Sequence, residues 1–288
     1  MTKILVIGDF HGKFPAKFRK IIKTEKINLV LSTGDYGGSD RLLKIIFKYF
    51  YQNCWEKVGL KKARVFVKED YESGKKIIND LGKLDVPVFA VDGNWDFEGK
   101  GRKERNAGLK LEKYSDIMKE INNISFLNKR HKKFGKLNIL GFGGYVVASI
   151  YLTKDGPFED LKDRKKQKIK HDRLRKQLMK KGKKGIDIFL SHYPPYGMYD
   201  KVRYKGKNPM NRKHVGFKPY TEFIKRFKPK VFVFGHMHEY QGKKKLGDTI
   251  VVATGSAKEG KAAIIEITEG KDQRKKENDK KISVRFVK

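Results

Sequence analysis

The segment KILVIGDFHG, residues 3–12, combines a short apolar run with an abrupt change to polar residues. Four aliphatic residues are followed directly by Gly8, Asp9 and, after Phe10, His11. A short β-branched run that ends at glycine predicts a buried strand and a sharp turn. Asp9 and His11 stand two residues apart, so their side chains point the same way from an extended backbone. The segment therefore predicts a strand that delivers two polar side chains at its carboxyl end.

Four further segments have the same construction, with polar residues at the end of a predicted strand. They are Gly34-Asp35, Gly93-Asn94-Trp95-Asp96, Ser191-His192 and Gly235-His236-Met237-His238. In open α/β sheets, ligands bind at the carboxyl ends of the strands. One such segment alone is most often a turn, but five in this placement indicate a shared site.

The distribution of apolar residues predicts an α/β chain in which short strands alternate with longer helices. Strands are predicted at residues 3–7, 28–32, 87–91, 137–142, 186–191, 230–234, 249–253, 262–267 and 282–287. Helices are predicted at residues 15–25, 39–57, 70–84, 112–122, 158–181 and 220–227. The last strands have little helix between them, which predicts a second, partly antiparallel sheet. We expect residues 1–288 to form a single domain.

Seven side chains in the five polar segments are metal-ligand types: two carboxylates, four imidazoles and one amide. They are Asp9, Asp35, His11, His192, His236, His238 and Asn94. Nitrogen and oxygen donors without a thiolate suit Mn²⁺, Fe²⁺, Zn²⁺ or Co²⁺ better than Ca²⁺ or Mg²⁺. Seven donors are too many for one tetrahedral ion, and they fit two ions, about 3.5–4 Å apart, that share a bridging carboxylate. The sequence thus predicts a dinuclear metal centre.

Charge balance at such a centre favours a phosphate ester as the substrate. Two divalent ions, two carboxylates and a bridging hydroxide leave a net charge of about +1. This excess attracts an anion and stabilises the additional negative charge of a pentacovalent phosphoryl transition state.

These motifs resemble the calcineurin-like metallophosphoesterase superfamily and, within it, the Icc-related phosphoesterases of archaea and bacteria. Further matches to that branch are Gly141-Phe142-Gly143-Gly144, His192-Tyr193-Pro194-Pro195, His214-Val215-Gly216 and Gly235-His236-Met237-His238-Glu239. The similarity extends from the N-terminus to about Ile267. It implies an α/β fold built as a four-layer α/β/β/α sandwich of two mixed sheets.

The resemblance also implies a role for each donor. Asp9, His11, Asp35 and His238 would hold one metal ion, and Asp35, Asn94, His192 and His236 would hold the other, with Asp35 bridging the two. Asn94 would also lie near a phosphate oxygen and take part in catalysis. We expect two divalent ions, with Mn²⁺ favoured and Fe, Zn, Co or Ni as alternatives.

One position departs from a pattern that many members of the superfamily share. Those members have Gly-Asn-His followed by Asp or Glu, and the histidine helps to protonate the leaving group or holds the phosphate. Trp95 stands at that position here, and an indole is only a hydrogen-bond donor. His214 is a candidate substitute acid, because imidazole titrates near neutral pH. The alternative is that His214 binds substrate or caps a loop.

The net charge is the most unusual property of the composition. Lys and Arg number 68 against 33 Asp and Glu, which gives a net charge of +35. A field of this size attracts polyanions such as nucleic acid, nucleotides or anionic lipid headgroups. Thermophilic ion-pair networks would raise Glu together with Lys, and the acids here do not keep pace. Codon drift towards lysine is the other explanation, since only 14 of the 68 cations are Arg.

Two charged segments lie outside the motifs. Residues 158–184 are predicted as a basic helical insertion, and residues 270–281 as a charged loop. Residues 161–184 contain 13 Lys or Arg and two acidic residues, and their apolar stripe consists of Leu161, Ile169, Leu174 and Leu178. One interpretation is that the cationic face binds a polyanion through Lys165, Lys166, Lys168, Arg173 and Arg175. The alternative is a solvated surface helix without a partner.

The combined prediction is a metal-dependent phosphoesterase, more specifically a phosphodiesterase that uses a metal-bridging hydroxide on nucleotide or nucleic-acid substrates. A phosphomonoesterase or a nucleotide pyrophosphatase is the alternative within the enzymes. A nucleic-acid-binding scaffold without hydrolytic activity is the alternative from another class.

Composition also bounds the compartment. The single cysteine, Cys54, excludes an internal disulfide framework. No apolar run approaches the about 20 residues of a membrane span, and the first apolar run is too short for a signal sequence. We therefore expect a cytoplasmic protein, and the sequence leaves its oligomeric state open.

Overall fold

Two six-stranded sheets lie face to face in the computed structural model of the protein. The structure describes residues 1–49, 54–98, 107–146, 161–183, 185–203, 210–269 and 280–288. Helices cover the outer face of each sheet. The architecture is therefore a four-layer α/β/β/α sandwich of two mixed sheets, which confirms the predicted fold class.

The first sheet consists of β1 (Thr2–Ile7), β2 (Leu29–Ser32), β3 (Val88–Ala90), β4 (Ile124–Phe126), β11 (Ala262–Glu269) and β12 (Lys280–Val287). Its order is β12-β11-β1-β2-β3-β4. Strands β1 to β4 are parallel, and β11 pairs antiparallel with both β1 and β12. The carboxyl ends of β1, β2 and β3 therefore meet at one edge of this sheet.

The second sheet consists of β5 (Arg130–Phe134), β6 (Leu137–Phe142), β7 (Ile188–Ser191), β8 (Val231–Phe234), β9 (Gly242–Leu246) and β10 (Thr249–Ala253). Its order is β5-β6-β7-β8-β10-β9. Strands β6, β7, β8 and β10 are parallel, and the two edge strands pair antiparallel with their neighbours. This confirms a second, partly antiparallel sheet.

Strand β1 shows why the first apolar run is apolar at every position. Leu5 and Ile7 pack against the outer helices, whereas Ile4 and Val6 pack into the core between the two sheets. A strand that is buried on both faces needs apolar residues throughout. Its polar residues can begin only where the strand ends, at Gly8.

Seven helices complete the outer layers of the described chain. Those on the first sheet are α1 (Lys17–Thr24), α2 (Asp40–Lys48), α3 (Cys54–Val58), α4 (Leu60–Gly82) and α5 (Tyr114–Lys119). Those on the second sheet are α6 (Leu161–Lys181) and α7 (Lys218–Phe227). Among the described residues, no helix is long and apolar enough to cross a bilayer.

Three strands, β4, β5 and β9, are absent from the sequence prediction. Strands β5 and β9 carry the segments RHKKF and GKKKL and form the two edges of the second sheet. Lysine on an edge strand discourages pairing with another chain. It also removes the alternation of apolar and polar residues by which a strand is predicted. Strand β4 has only three residues, too few to show a period.

Two predicted helices have different bounds in the structure. Helix α4 begins at Leu60, well before the predicted start at residue 70. The predicted helix 39–57 is divided, because α2 ends at Lys48 and α3 begins at Cys54. Residues 50–53 lie outside the described part of the chain.

The predicted apolar stripe of the basic helix is wrong at one position. Leu174 and Leu178 are buried, but Ile169 is 69% exposed. His171 takes the inner position instead and packs its ring 5.3 Å from that of Phe217. The reason is the helical period, since residues 171, 174 and 178 share one face and residue 169 does not. Residues 158–160 and 184 and the side chain of Leu161 lie outside the description, as do residues 270–279, and β12 begins at Lys280.

Truncation of α6 at these positions should therefore have unequal effects. We expect Leu178→Ala to lower the free energy of unfolding by about 2–5 kcal/mol, because it opens a cavity under the helix. Ile169→Ala should change it by less than about 0.5 kcal/mol. Urea denaturation followed by circular dichroism measures both, and equal losses for the two variants would contradict this packing.

Candidate metal centre

The seven predicted ligands follow the carboxyl ends of five strands and converge between the two sheets. Asp9 and His11 follow β1, Asp35 follows β2, Asn94 follows β3, His192 follows β7, and His236 and His238 follow β8. Both sheets thus contribute to one site, because their parallel strands end at the same edge.

One group of possible ligands is formed by Asp9, His11 and His238. His238 Nε2 lies 3.3 Å from Asp9 Oδ1 and 3.0 Å from His11 Nε2. All the ligand atoms of this group lie within 4.8 Å of one another. That spacing allows three donors to bind one ion.

A second group is formed by Asp9, Asp35 and His192. Asp35 Oδ2 lies 3.5 Å from His192 Nε2 and 3.8 Å from His11 Nε2. The Asp35 carboxylate is therefore within reach of a histidine from each sheet, as a bridging ligand must be. Asn94 joins this group, because its Oδ1 lies 2.8 Å from His192 Nε2.

His236 reaches the site in two ways. Its backbone N–H donates to both carboxylate oxygens of Asp9 at 2.9 Å. Its ring lies 5.1 Å from the ring of His192 and 4.0 Å from that of Tyr193. The backbone of His236 thus orients one proposed ligand while its side chain lies beside another.

The orientation of two imidazoles leaves their Nε2 lone pairs facing the site. His192 Nδ1 lies 2.8 Å from the carbonyl oxygen of Thr33, and His11 Nδ1 lies 3.3 Å from that of Gly37. A carbonyl accepts only, so Nδ1 carries the proton in both rings and Nε2 is an acceptor. His192 Nε2 lies 2.8 Å from Asn94 Oδ1. Two atoms of metal-ligand type thus lie side by side next to the Asp35 carboxylate, so the residues present fit a metal site.

Burial and neighbouring charges keep two of the imidazoles, those of His11 and His236, neutral near pH 7. Burial and the charge of His238 lower the pKa of His11 to about 4. Burial and the charge of His192 lower the pKa of His236 to about 3. Neutral imidazole is the form that binds a metal ion, so near neutral pH these two rings need no deprotonation before binding.

The carboxylates are held in the ionised form. Burial alone would raise the pKa of Asp35, but the charges of His192 and His11 lower it well below its ordinary value. Burial would likewise raise the pKa of Asp9, and the hydrogen bond and charge of His238 lower it. Anionic oxygen and neutral nitrogen donors therefore coexist in one buried site.

Four of the seven residues have left-handed backbones. Their φ angles are 55° for Asp9, 43° for His11, 56° for Asp35 and 64° for His236. Side chains other than glycine avoid this region, and each such residue costs free energy that the surrounding structure must offset. Strain of this kind concentrates at functional sites.

Asp96 anchors the site, although sequence analysis assigns it no role. Its buried carboxylate accepts backbone N–H groups from Asp35 at 2.9 Å, Tyr36 at 2.7 Å and Gly93 at 2.6 Å. Gly93 must be glycine, because a Cβ there would lie 2.0 Å from Asp35 Oδ1. In the sequence, the only indication of this role is that Asp96 ends the motif Gly93-Asn94-Trp95-Asp96. Its three backbone partners are known only from the structure.

Trp95 is fixed beside the metal centre. Its indole Nε1–H donates to Asp70 Oδ1 at 2.8 Å, and its backbone N–H donates to Asp35 Oδ1 at 2.8 Å. The ring centre lies 6.5 Å from that of His11. Asp70 is a buried residue of α4, and no sequence signal links it to Trp95.

His214 lies outside the seven-residue cluster and forms a pair with a buried carboxylate. His214 Nδ1 lies 2.7 Å from Asp200 Oδ1, and the histidine side chain is 43% exposed. Asp200 Oδ2 also accepts backbone N–H groups of Gly197 and Gly216 at 3.0 and 3.2 Å. The pair therefore has a defined orientation, with the second ring nitrogen as its outer atom.

The five cations predicted to bind a polyanion lie on exposed positions of α6. Arg175 forms a two-point ion pair with Glu222 of α7, with Nε donating at 2.7 Å. This pair fastens α6 to its neighbour, so Arg175 has a structural partner. Lys165, Lys166, Lys168 and Arg173 are exposed.

The sequence matches the family model described as calcineurin-like phosphoesterase over residues 2–240. The chain therefore belongs to the calcineurin-like phosphoesterase family and is a metal-dependent phosphoester hydrolase. This confirms the resemblance seen in its motifs.

Solved structures of low sequence identity share the fold. One crystal structure is 19% identical with a TM-score of 0.60, and the match covers 91% of this chain and 93% of that chain. The phosphopantetheinyl hydrolase PptH from Mycobacterium tuberculosis is 11% identical with a TM-score of 0.52, over 90% of this chain and 91% of that chain. No curated protein matches the sequence. Identities this low show the fold and leave the substrate open.

Replacement of Asp96 should weaken both the fold and the site. We expect Asp96→Asn to lower the free energy of unfolding by about 1–3 kcal/mol, because an amide puts a donor group against backbone donors. Affinity for Mn²⁺, measured by calorimetry, should fall by at least about tenfold, because Asp35 loses its anchor.

Asp116→Asn is the matched control. The side chain of Asp116 is 41% exposed and pairs with Lys119 at 2.7 Å, so its loss should change stability by less than about 0.5 kcal/mol. Unchanged metal affinity in Asp96→Asn would show that Asp96 does not position the ligands.

Proposed function

We propose that the protein is a phosphodiesterase that works with two divalent metal ions, Mn²⁺ favoured. One observation carries the proposal: two groups of possible metal ligands share Asp9, and the Asp35 carboxylate lies 3.8 Å from a histidine of one sheet and 3.5 Å from a histidine of the other. Adjacent groups of nitrogen and oxygen donors suit a dinuclear centre.

The seven converging side chains would divide between the two ions. Asp9, His11 and His238 would hold one ion, Asn94, His192 and His236 the other, and Asp35 would lie between them. When bound, the ions would supply positive charge to the phosphoryl group and lower the pKa of a water molecule, which becomes the nucleophile.

The chain's own residues would set the charge of the site and position the ester. Four imidazoles and one amide are neutral ligands, so among the protein groups only two carboxylates offset the charge of the ions. With a bridging hydroxide included, the excess of about +1 matches the single negative charge of a diester better than the double charge of a monoester. Asn94 would place its amide next to a phosphate oxygen.

Removal and return of metal tests this function. We expect metal-stripped protein not to hydrolyse bis-p-nitrophenyl phosphate and to recover activity as Mn²⁺ is added. His236→Ala should lose at least about 100-fold in rate, because a metal ligand is missing. His131→Ala is the control, since His131 contacts Asn138 and the carbonyl of Lys181 away from the site.

The same assay separates the alternatives. Faster turnover of p-nitrophenyl phosphate than of the diester would favour a phosphomonoesterase. Absence of turnover with Mn²⁺, Co²⁺, Ni²⁺ or Zn²⁺ would favour a nucleic-acid-binding scaffold.

We further propose that His214 protonates the leaving group. Trp95 cannot do so, because its indole N–H is committed to Asp70 and does not titrate near neutral pH. Asp200 orients His214. Lys201 forms an isolated β-bridge with His214, and its carbonyl oxygen accepts a hydrogen bond from the Tyr240 hydroxyl. Tyr240 lies two residues beyond His238, so Lys201 links His214 to the segment that carries a proposed metal ligand.

Leaving-group variation tests His214. The rate loss in His214→Ala should grow with the pKa of the leaving group, from little for p-nitrophenol to about 100-fold or more for phenol, because only a basic leaving group needs a proton. The measurement is kcat across a series of aryl phosphodiesters. An equal loss across the whole series would show that His214 only binds substrate.

A further inference from the structure

Three loops beside the candidate metal centre are joined to one another by hydrogen bonds. Gly144 N–H donates to the carbonyl oxygen of Asp92 at 2.6 Å, two residues before Asn94. Asn128 donates to Asp92 Oδ1 at 2.5 Å and accepts from Gly143 N–H at 3.2 Å. The loops after β3, β4 and β6 are therefore held together beside the proposed phosphate position.

Aromatic rings continue outward from the metal centre across these loops. The ring of Tyr193 lies 4.0 Å from that of His236, and the ring of Tyr145 lies 6.4 Å from that of Tyr193. Tyr145 is 40% exposed. The ammonium group of Lys170, on α6, lies 4.6 Å from the centre of the Tyr145 ring. A continuous row of side chains thus leads from the proposed ligand His236 through Tyr193 and Tyr145 to the ammonium group of Lys170.

Two more cations meet near these loops. Lys129 follows Asn128 and is half-buried, with its ammonium group 5.9 Å from the ring of Phe142. Burial lowers the pKa of Lys129, Asp92 acts in the opposite direction, and the charge of Arg173 on α6 lowers it again. In the described part of the chain, neither Lys129 nor Arg173 forms an ion pair with a carboxylate.

Such a pair of cations suits an anionic ligand. Burial penalises the charge of the Lys129 ammonium group, and the charge of Arg173 adds to that penalty. Asp92 offsets part of it, and an anion that contacts the ammonium group would offset more. Lys129 lies in the loop after β4, which is joined to the loop that carries Asn94. We therefore expect the anion to be part of the substrate.

We propose that Lys129, Lys170, Arg173 and Tyr145 form a subsite for the nucleotide next to the cleaved phosphodiester, and that the substrate is a single-stranded polynucleotide. The proposal rests on the phosphodiesterase function proposed above. Proteins bind single strands with a cationic groove that follows the phosphates and exposed aromatic rings on which bases stack. In a duplex the bases are stacked on one another, and their faces do not reach Tyr145.

The subsite also separates the cations of α6 by role. Of the five that the sequence predicts for polyanion binding, Arg173 alone belongs to the subsite. Arg175 is paired with Glu222, and Lys165, Lys166 and Lys168 are exposed and are not assigned to the subsite. The net charge of the helix is therefore a poorer guide to binding than its position beside the loops after β3, β4 and β6.

Salt-dependent binding tests the subsite without any turnover. The triple variant Lys129→Gln/Lys170→Gln/Arg173→Gln and the wild type are titrated against fluorescein-labelled oligothymidylate, without added metal ion, over a series of salt concentrations. Fluorescence anisotropy gives the slope of log K against log salt. We expect the slope of the variant to be smaller by about 2, since each lost phosphate contact on a single strand removes about 0.7.

A matched control removes the same charge elsewhere. Lys61→Gln/Lys62→Gln/Lys68→Gln changes three exposed lysines of α4, on the opposite outer layer, and its slope should equal that of the wild type. If both triple variants lose the same slope, net charge governs binding and the subsite is wrong. If the subsite variant loses none, these cations make no phosphate contact and the subsite is equally wrong. An equal loss with a duplex of the same length would overturn the assignment to single strands.

Kinetics with Mn²⁺ complete the test. The subsite variant should show a KM for oligothymidylate raised by at least about tenfold, with a smaller change in kcat, because the neighbouring nucleotide contributes binding and not chemistry. A fall in kcat with unchanged KM would contradict a binding role. If the wild type binds the oligonucleotide with the expected slope but hydrolyses no diester, the proposed function fails while the subsite stands.

Discussion

The buried carboxylate of Asp96 is the interaction on which the candidate metal centre depends. It accepts three backbone N–H groups and so joins the loop after β2 to the loop after β3. The first loop carries Asp35, whose backbone is left-handed, and the second carries Asn94. This single buried group holds both loops where the strands end, and it keeps Asp35 between the histidines of the two sheets.

Electrostatics explains why so many polar groups can share this buried position. Asp9 and Asp35 are buried carboxylates, and the neighbouring imidazoles of His11 and His236 are neutral near pH 7. Buried anions without a counter-charge are costly, so binding of cations would contribute directly to the stability of the fold. Catalysis and folding would then depend on the same ions.

The large positive charge has several local explanations. Lysines on β5 and β9 protect the edges of the second sheet, and Arg175 joins α6 to α7. Lys129 and Arg173 differ from these, because neither forms an ion pair in the described chain and both belong to the proposed subsite. A net charge of +35 therefore describes the protein less well than the positions of these few cations.

Local sequence alone determined the two-sided burial of β1 and the delivery of Asp9 and His11 at its end, because the period of a strand relates neighbouring side chains directly. It also determined the family and its ligand types, because motifs are contiguous. It gave the wrong face for Ile169, and it could not find the contact of Trp95 with Asp70, which are 25 residues apart. Those features, like the distances between ligands from both sheets, were decided by tertiary structure, because groups far apart in the chain meet only when the sheets pack.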